Sequence, residues 1–200
     1  ATLDINPNEE MLKAVDDVVV SQNGKTAVKA KWDTPVDNDA QKLQYSSDVP
    51  SNTAVKGSES NNYGLMAGAL YSSKALKKHD GYVITSARFY PLADAVFTVY
   101  LYKDDNLVEE VEVNDYKLKT WNTVKFSKPV TVDSKASYKL VVDCYDVTPN
   151  AAPLAIDNAP FADGYSNLYS LDNESWGTLY SSQNSITGNW LIGLNIENPV

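Results

Sequence analysis

Residues 82–102, YVITSARFYPLADAVFTVYLY, decide the fold class of this chain. Two apolar segments flank a Pro-Leu-Ala-Asp break, and the side chains of the second segment alternate between two faces. One face carries Val96, Thr98, Tyr100 and Tyr102, and the other carries Phe97, Val99 and Leu101. Such alternation is typical of a strand inside a sandwich of two sheets. We therefore predict an all-β domain.

Similar strand signals recur along the chain at roughly the 8 to 12 residue spacing of β-sandwiches. Strands are predicted over residues 63–70, 82–90, 96–103, 107–113, 120–126, 130–132, 137–143, 154–157 and 189–196. Near the N terminus, Asn23-Gly24 separates two valine-rich segments and predicts a hairpin. The segment SSKALKKHDG predicts a single helical turn that ends at Gly81.

Charge and hydropathy exclude two classes of partner. The net charge is -9, and Arg88 is the only arginine, so no basic stripe is available for nucleic acid. No run of 18 apolar residues is present, which argues against insertion in a membrane. The chain has the length and apolar content for one sizeable core.

Few residues in this sequence are suited to catalysis. The only cysteine, Cys144, lies in the apolar segment YKLVVDCYDV and is predicted to be a core residue. The only histidine, His79, lies in the polar segment LKKHDG and is predicted to be a solvated turn residue. We predict no catalytic residues. Glycoside hydrolysis is the remaining alternative, because it needs only two neighbouring carboxylates, with Asp143, Asp157 and Glu174 as candidates.

Aromatic residues are better candidates for a binding site. Trp32, Trp121 and Trp190 each lie in an alternating strand context, which predicts core packing. Trp176 differs, because polar residues and tyrosines surround it. We predict a ligand-binding site at Trp176, Tyr165, Tyr169 and Tyr180. The alternative for Trp176 is that it covers the edge of the core.

The order of several motifs adds a resemblance to a known family. The motifs are WDTP at 32–35, then SARFYPL, FTVYLYKDDN, TWNTVKFSKPVTV, SYKLVVDCYD, PLAIDNAPFADGYSNLY, ESWGTL and NWLIGLNI. Together they resemble the exported jelly-roll modules of Bacteroidetes, which are similar to the adhesin domains associated with gingipain-type proteases. The resemblance covers roughly residues 28–200. It implies a jelly-roll β-sandwich of two mainly antiparallel sheets at 36–200, after an N-terminal tail and fibronectin type III-like hairpin at 1–35.

The same resemblance implies a function and a compartment. It implies a noncatalytic module, secreted or on the outer cell surface, that adheres to a glycan or to a host or cell-surface protein. Some related jelly rolls hold a structural calcium ion, and the residues that match this expectation are Asp157, Asp163 and Asp172. These acids lack the regular D-x-D-x-D-G spacing of a calcium loop, and no other cofactor is expected. The alternative function is an architectural or protein-interaction module without sugar binding. Under either function we expect a monomer or one domain of a larger chain.

Overall fold

The computed structural model describes residues 19–23, 27–31, 41–51, 55, 63–180 and 185–199. The chain divides into two compact units, one within residues 1–39 and the other Ala40–Pro199. In the first unit, strand β1 (Val19–Asn23) pairs antiparallel with β2 (Ala27–Lys31), which confirms the predicted hairpin strands. Its likeness to fibronectin type III stays a prediction, as does the boundary between 1–35 and 36–200.

The second unit consists of strands joined by loops and one short helix. In chain order its elements are β3 (Gln41–Leu43), β4 (Tyr63–Tyr71), α1 (Ser73–Leu76), a 3-10 turn (Lys77–His79), β5 (Val83–Phe89), β6 (Val96–Lys103), β7 (Asn106–Val113), β8 (Asn122–Thr131), β9 (Tyr138–Val147), β10 (Leu168–Ser170), β11 (Trp176–Thr178) and β12 (Ile192–Glu197). In the part of the chain that the structure describes, no helix is both long and apolar enough to cross a membrane.

The strands of this unit form two antiparallel sheets. The six-stranded sheet has the order β11-β10-β4-β9-β6-β7, and the four-stranded sheet has the order β3-β12-β5-β8. When the hairpin β10-β11 is set aside and the other eight strands are numbered in sequence, the orders become 2-7-4-5 and 1-8-3-6. This interleaving of two Greek keys is the jelly-roll arrangement. The predicted all-β jelly-roll sandwich is therefore confirmed, with β10 and β11 added at one edge.

The core lies between the inner faces of the two sheets. Phe97, Val99 and Leu101 of β6 are fully buried there, as their alternation predicts. Trp190 is also a core residue, and its indole Nε1 donates to the Leu168 carbonyl oxygen at 2.8 Å. Aromatic and branched apolar side chains dominate this core, and their burial supplies most of the stabilisation of the sandwich.

The predicted core position of Trp121 is wrong, and that of Trp32 lies outside the described residues. Trp121 packs on the outer side of the four-stranded sheet, where the Arg88 guanidinium lies 3.7 Å from its ring centroid. The indole Nε1 donates to the Asp48 carbonyl oxygen at 3.1 Å. Arg88 occupies an outward position of β5 and is almost fully buried, so the flat indole covers a cation that the core could not accept.

His79 is another residue whose surroundings differ from the prediction. The predicted helical turn is confirmed as α1 and the 3-10 turn, and Gly81 follows with φ 79°. His79 is buried rather than solvated, and its ring meets Tyr82 edge-on at 5.2 Å. Burial, with a smaller contribution from the Lys78 charge, lowers the pKa of His79. The 3-10 turn brings its side chain inward against Tyr82, which the polar local sequence does not indicate.

Candidate functional site

The outer face of the six-stranded sheet carries a cluster of aromatic side chains around one lysine. Tyr100 and Tyr102 lie on the outward positions of β6, because their neighbours Val99 and Leu101 belong to the core. We call Tyr100, Tyr102, Lys139 and Trp176 the aromatic platform. Tyr100 and Tyr102 have ring centroids 6.3 Å apart and are both partly exposed. The platform is thus an accessible surface of the sheet.

Trp176 reaches the platform from the edge of the sheet. It lies on β11, and its indole extends across β10 to Gly68 on β4. A Cβ built on Gly68 would lie 2.8 Å from Cζ3 of Trp176 and 3.1 Å from Cβ of Leu168. The absence of a side chain at Gly68 therefore leaves the space in which the indole lies.

Lys139 lies between the two ends of the platform. Its Nζ is 5.2 Å from the ring centroid of Tyr102 and 5.0 Å from that of Trp176. The same ammonium is 3.2 Å from Oδ1 of Asp105, and the lysine side chain is only 19% exposed. The ammonium is thus within cation–π distance of both rings. Val141, on the outward side of β9 beside Lys139, is fully buried although it is not part of the intersheet core.

Burial raises the pKa of two ionisable groups on this face, Asp143 and Tyr100. Partial burial raises the pKa of the Asp143 carboxyl, against a weaker opposing hydrogen bond from the Cys144 backbone. Burial also raises the pKa of Tyr100, with added repulsion from Asp143 and Glu110. Thr98 on β6 pairs with Asp143 on β9, and Tyr100 pairs with Glu110 on β7. The platform is therefore bordered by one partly desolvated carboxylate, Asp143, that can accept a hydrogen bond from a ligand.

Trp176 and Tyr169, two of the predicted binding residues, leave their strands on opposite faces. Trp176 pairs with Ser170, whereas Tyr169 pairs with Gly177, and Tyr169 packs against the core. Both nevertheless border a shallow groove of about 330 Å³ at the free edge of β11, together with Leu171, Asp172, Ser175 and Gly177. This groove joins the two residues at the sheet edge.

Tyr165 and Tyr180, the other two predicted binding residues, lie in different surroundings. Tyr165 is 42% exposed and lines a groove with Tyr45 near α1. Tyr180 is 47% exposed, and its ring centroid lies 5.5 Å from that of Phe161. The structure thus distributes the four predicted residues over several parts of the surface. Whether each of them binds a ligand stays a prediction.

The three acids predicted as calcium ligands each have a separate set of hydrogen bonds. Asp157 is fully buried and accepts N–H groups on both oxygens. Asp163 accepts from the Asn167 amide at 2.9 Å. Asp172 accepts from the backbone of Glu174 and Ser175, which lowers its pKa to about 2. Over the described ranges, no group of three or more His, Cys, Asp or Glu side chains is placed to hold a metal ion. Calcium binding stays a prediction.

The acids considered for glycoside hydrolysis also have distinct surroundings. Asp143 lies on the outer face of the six-stranded sheet, and Asp157 is enclosed by N–H donors in the interior. Glu174 is exposed in the loop between β10 and β11, where its backbone N–H donates to Asp172. Of the three, only Asp143 is partly exposed on a sheet face.

Cys144 occupies a core position, as the sequence predicts. It is fully buried on β9, and burial raises the pKa of its thiol well above the usual value. We expect this thiol to react with a disulfide reagent only when the chain unfolds, because the thiolate is the reactive form. The measurement is the rate of thiol labelling in native buffer and in denaturant. Labelling of the native protein at the rate of a free peptide thiol would contradict the buried position.

Sequence reasoning missed Lys139 and Gly68, and it did not assign Tyr100 or Tyr102 to a site. The signal was present in the alternation of FTVYLYK, which puts both tyrosines on one face, and of YKLVVD, which puts Lys139 and Asp143 on one face. No family model matches this sequence, and the comparison with curated proteins finds no match. The arrangement of the platform is therefore the main basis for a functional proposal.

Proposed function

We propose that the jelly-roll unit is a noncatalytic glycan-binding module that uses the aromatic platform as its binding surface. The observation that carries this proposal is the pair of rings, Tyr102 and Trp176, held on either side of Lys139 on an exposed sheet face. Flat aromatic surfaces bind the apolar faces of sugar rings, and they lose little conformational entropy because the rings are already held in place.

The polar groups around the platform suit a ligand rich in hydroxyls. Asp143 is a partly buried acceptor, and among the described residues it takes part in no ion pair. Sugar hydroxyls can donate to Asp143 and to Glu110, while the Thr98 hydroxyl can both donate and accept. Specificity for a particular sugar would come from these groups, and affinity from the rings.

Several features support binding without catalysis. A glycosidase needs two carboxylates that face one bond, whereas the three acids considered are dispersed: Asp143 lies on the outer sheet face, Asp157 in the interior and Glu174 in the loop between β10 and β11. Cys144 is enclosed in the core, and His79 packs against Tyr82 instead of a nucleophile. We therefore assign Asp143 the role of a hydrogen-bond acceptor for sugar hydroxyls.

An adhesive role at the outer cell surface or in a secreted protein is part of the same proposal. The resemblance to exported adhesin-like modules and the jelly-roll strand order support it. A rigid sandwich that presents a flat sheet face can hold a glycan without any change of shape. Modest affinity at a single surface of this kind is expected to be raised by repeated copies or by multivalent ligands.

The test is a broad screen of immobilised glycans with the full chain, with Tyr102→Ala and with Tyr90→Ala. Tyr90 is the matched control, because its ring contacts Trp121 on the other sheet. We expect the Tyr102 variant to bind selected glycans about fivefold more weakly, from the loss of one stacking contact of about 1 kcal/mol, and the Tyr90 variant to bind as the parent does.

Parallel glycan screens with calcium and with a chelator test whether glycan binding needs calcium. Circular dichroism checks that each variant is folded. If the parent chain bound no class of glycan, the sugar-binding proposal would be rejected. That result would favour the alternative of an architectural or protein-interaction module. If the Tyr102 and Tyr90 variants lost glycan binding to the same extent, the platform would not be the binding site.

A further inference from the structure

A second groove lies near α1, away from the residues of the aromatic platform. It has a volume of about 400 Å³ and is lined by Tyr45, Ser72, Lys74, Ala75, Ala162 and Tyr165. We call it the tyrosine groove. Two tyrosines, one serine and one lysine thus border an open groove whose volume is comparable to that of a single sugar residue.

Hydrogen bonds to one residue position both tyrosines of this groove. The Tyr45 hydroxyl donates to the Leu70 carbonyl oxygen at 2.8 Å, and the Leu70 N–H donates to the Tyr165 carbonyl oxygen at 2.7 Å. Tyr45 also stacks on Tyr71, with ring centroids 5.3 Å apart and an interplanar angle of 7°. Tyr71 is a fully buried core residue, so the back of the groove is anchored to the core. The Tyr45 side of the groove is therefore preformed, which lowers the entropic cost of binding there.

The charge of the tyrosine groove differs from that of the whole chain. The net charge is -9, yet the groove lining contains Lys74 and no acidic side chain. Lys74 is exposed and forms no ion pair with any residue that the structure describes. Lys77 and Lys78 follow it in the next turn of the chain. One lysine and no carboxylate among the lining residues favour an anionic ligand.

We propose that the tyrosine groove is a second binding site, specific for a sugar residue that carries a carboxylate. The ring of such a sugar would stack on Tyr165, and its carboxylate would pair with the Lys74 ammonium. Burial, with a smaller effect from Tyr165, raises the pKa of Tyr45, so its phenol stays neutral. The Ser72 oxygen accepts from the Ala75 N–H at 3.4 Å, and its hydroxyl hydrogen can donate to the ligand.

The groove and the platform suit different parts of a glycan. The platform is a sheet face spread over several strands, whereas the groove is a separate open depression near α1 with Lys74 in its lining. The groove is therefore assigned to a carboxylated sugar. Its binding does not depend on the platform, because no platform residue lines it.

The test is ligand-observed NMR with glucuronate, glucose and acetate as separate probes. Glucuronate is expected to bind with a Kd on the order of 1 mM, and glucose and acetate more weakly by tenfold or more. Lys74→Met and Tyr165→Ala are each expected to weaken glucuronate binding at least fivefold. Lys125→Met is the matched control, because Lys125 is an exposed lysine on β8, outside the groove, and its removal should leave binding unchanged.

Trp176→Ala separates this site from the platform, and glucuronate binding is expected to persist in that folded variant. Equal binding of glucuronate and acetate would overturn the proposal, since it would show attraction of anions alone. Equal binding of glucuronate and glucose would also overturn it, because Lys74 would then have no role. If the parent protein did not bind glucuronate, the groove would be rejected as the site. It would also be rejected if Trp176→Ala lost glucuronate binding while Lys74→Met kept it.

Discussion

Replacement of Asp157 with alanine is expected to lower the free energy of unfolding by about 3 kcal/mol or more. The Asp157 carboxylate is fully buried and accepts three hydrogen bonds. Ser47 N–H donates to one oxygen at 2.6 Å, and the backbone N–H and side-chain amide of Asn189 donate to the other at 2.8 and 2.9 Å. Alanine would leave the buried Asn189 backbone N–H and the part-buried Ser47 N–H without this acceptor. The Asn189 amide would keep its contact with the Pro160 carbonyl oxygen at 3.4 Å.

The position of Asp157 explains why the loss should be large. Ser47 lies in the loop after β3, and Asn189 lies just before β12, so one carboxylate joins segments that are 110 and 32 residues away in sequence. Gly188 has a φ of 128°, and a Cβ built on it would overlap the Asp157 carbonyl oxygen, so only glycine fits here. These long-range hydrogen bonds stabilise the end of the sandwich at which β3 pairs with β12.

Urea denaturation followed by circular dichroism measures the effect. Asp163→Ala is the comparison variant, because Asp163 is an exposed acid that accepts from one side-chain amide, that of the buried Asn167, and its loss should cost about 1 to 2 kcal/mol, less than that of Asp157. Unfolding of the parent protein is expected to be the same with calcium and with a chelator if Asp157 acts through hydrogen bonds. An equal small effect of both substitutions would show that the donors find other acceptors. Stabilisation by calcium that Asp157→Ala removes would instead identify a metal ligand.

The sequence predicts most of the large strands because their side chains alternate strictly. The predicted strand 96–103 coincides with β6, since every second residue from Phe97 to Leu101 faces the core. The hairpin β10-β11 was not predicted, because its strands are three residues long and its loop contains polar residues. Residues 154–157 were predicted to be a strand but form only isolated bridges, from Leu154 to Pro91 and from Ile156 to Trp190. Apolar composition alone does not distinguish a buried loop from a strand.

The site was less predictable than the fold, because it depends on which strands become neighbours. Tyr102 and Trp176 are far apart in sequence, and they approach one lysine only because β9 lies between β4 and β6. That order follows from the jelly-roll topology, which local patterns do not contain. The added hairpin then brings Trp176 to the same face. Asp157 was considered in the sequence for glycoside hydrolysis and for calcium binding, and the structure shows it accepting hydrogen bonds from Ser47 and Asn189.

The dependence of the platform on one glycine gives the sharpest test of how Trp176 acts. Gly68→Ala would place a Cβ 2.8 Å from the indole and 3.1 Å from Leu168 Cβ, so the ring has to move. If Trp176 is a main contact of the glycan, binding should fall about thirtyfold, which corresponds to about 2 kcal/mol. This variant keeps the side chain of Trp176. A loss of glycan affinity would therefore come from the displacement of the indole and not from its removal.

Gly64→Ala is the matched control for Gly68→Ala on the same strand. A Cβ at Gly64 would meet only Cδ2 of Tyr145 at 3.8 Å, which is an ordinary contact, so the control should keep full glycan binding. Both variants are measured by glycan affinity, by thermal unfolding and by tryptophan fluorescence, which should change in the Gly68 variant alone. Unchanged affinity in a folded Gly68→Ala protein whose fluorescence has shifted would remove Trp176 from the binding surface. Binding would then depend on the β6 tyrosines, because they lie two strands away from the substituted glycine.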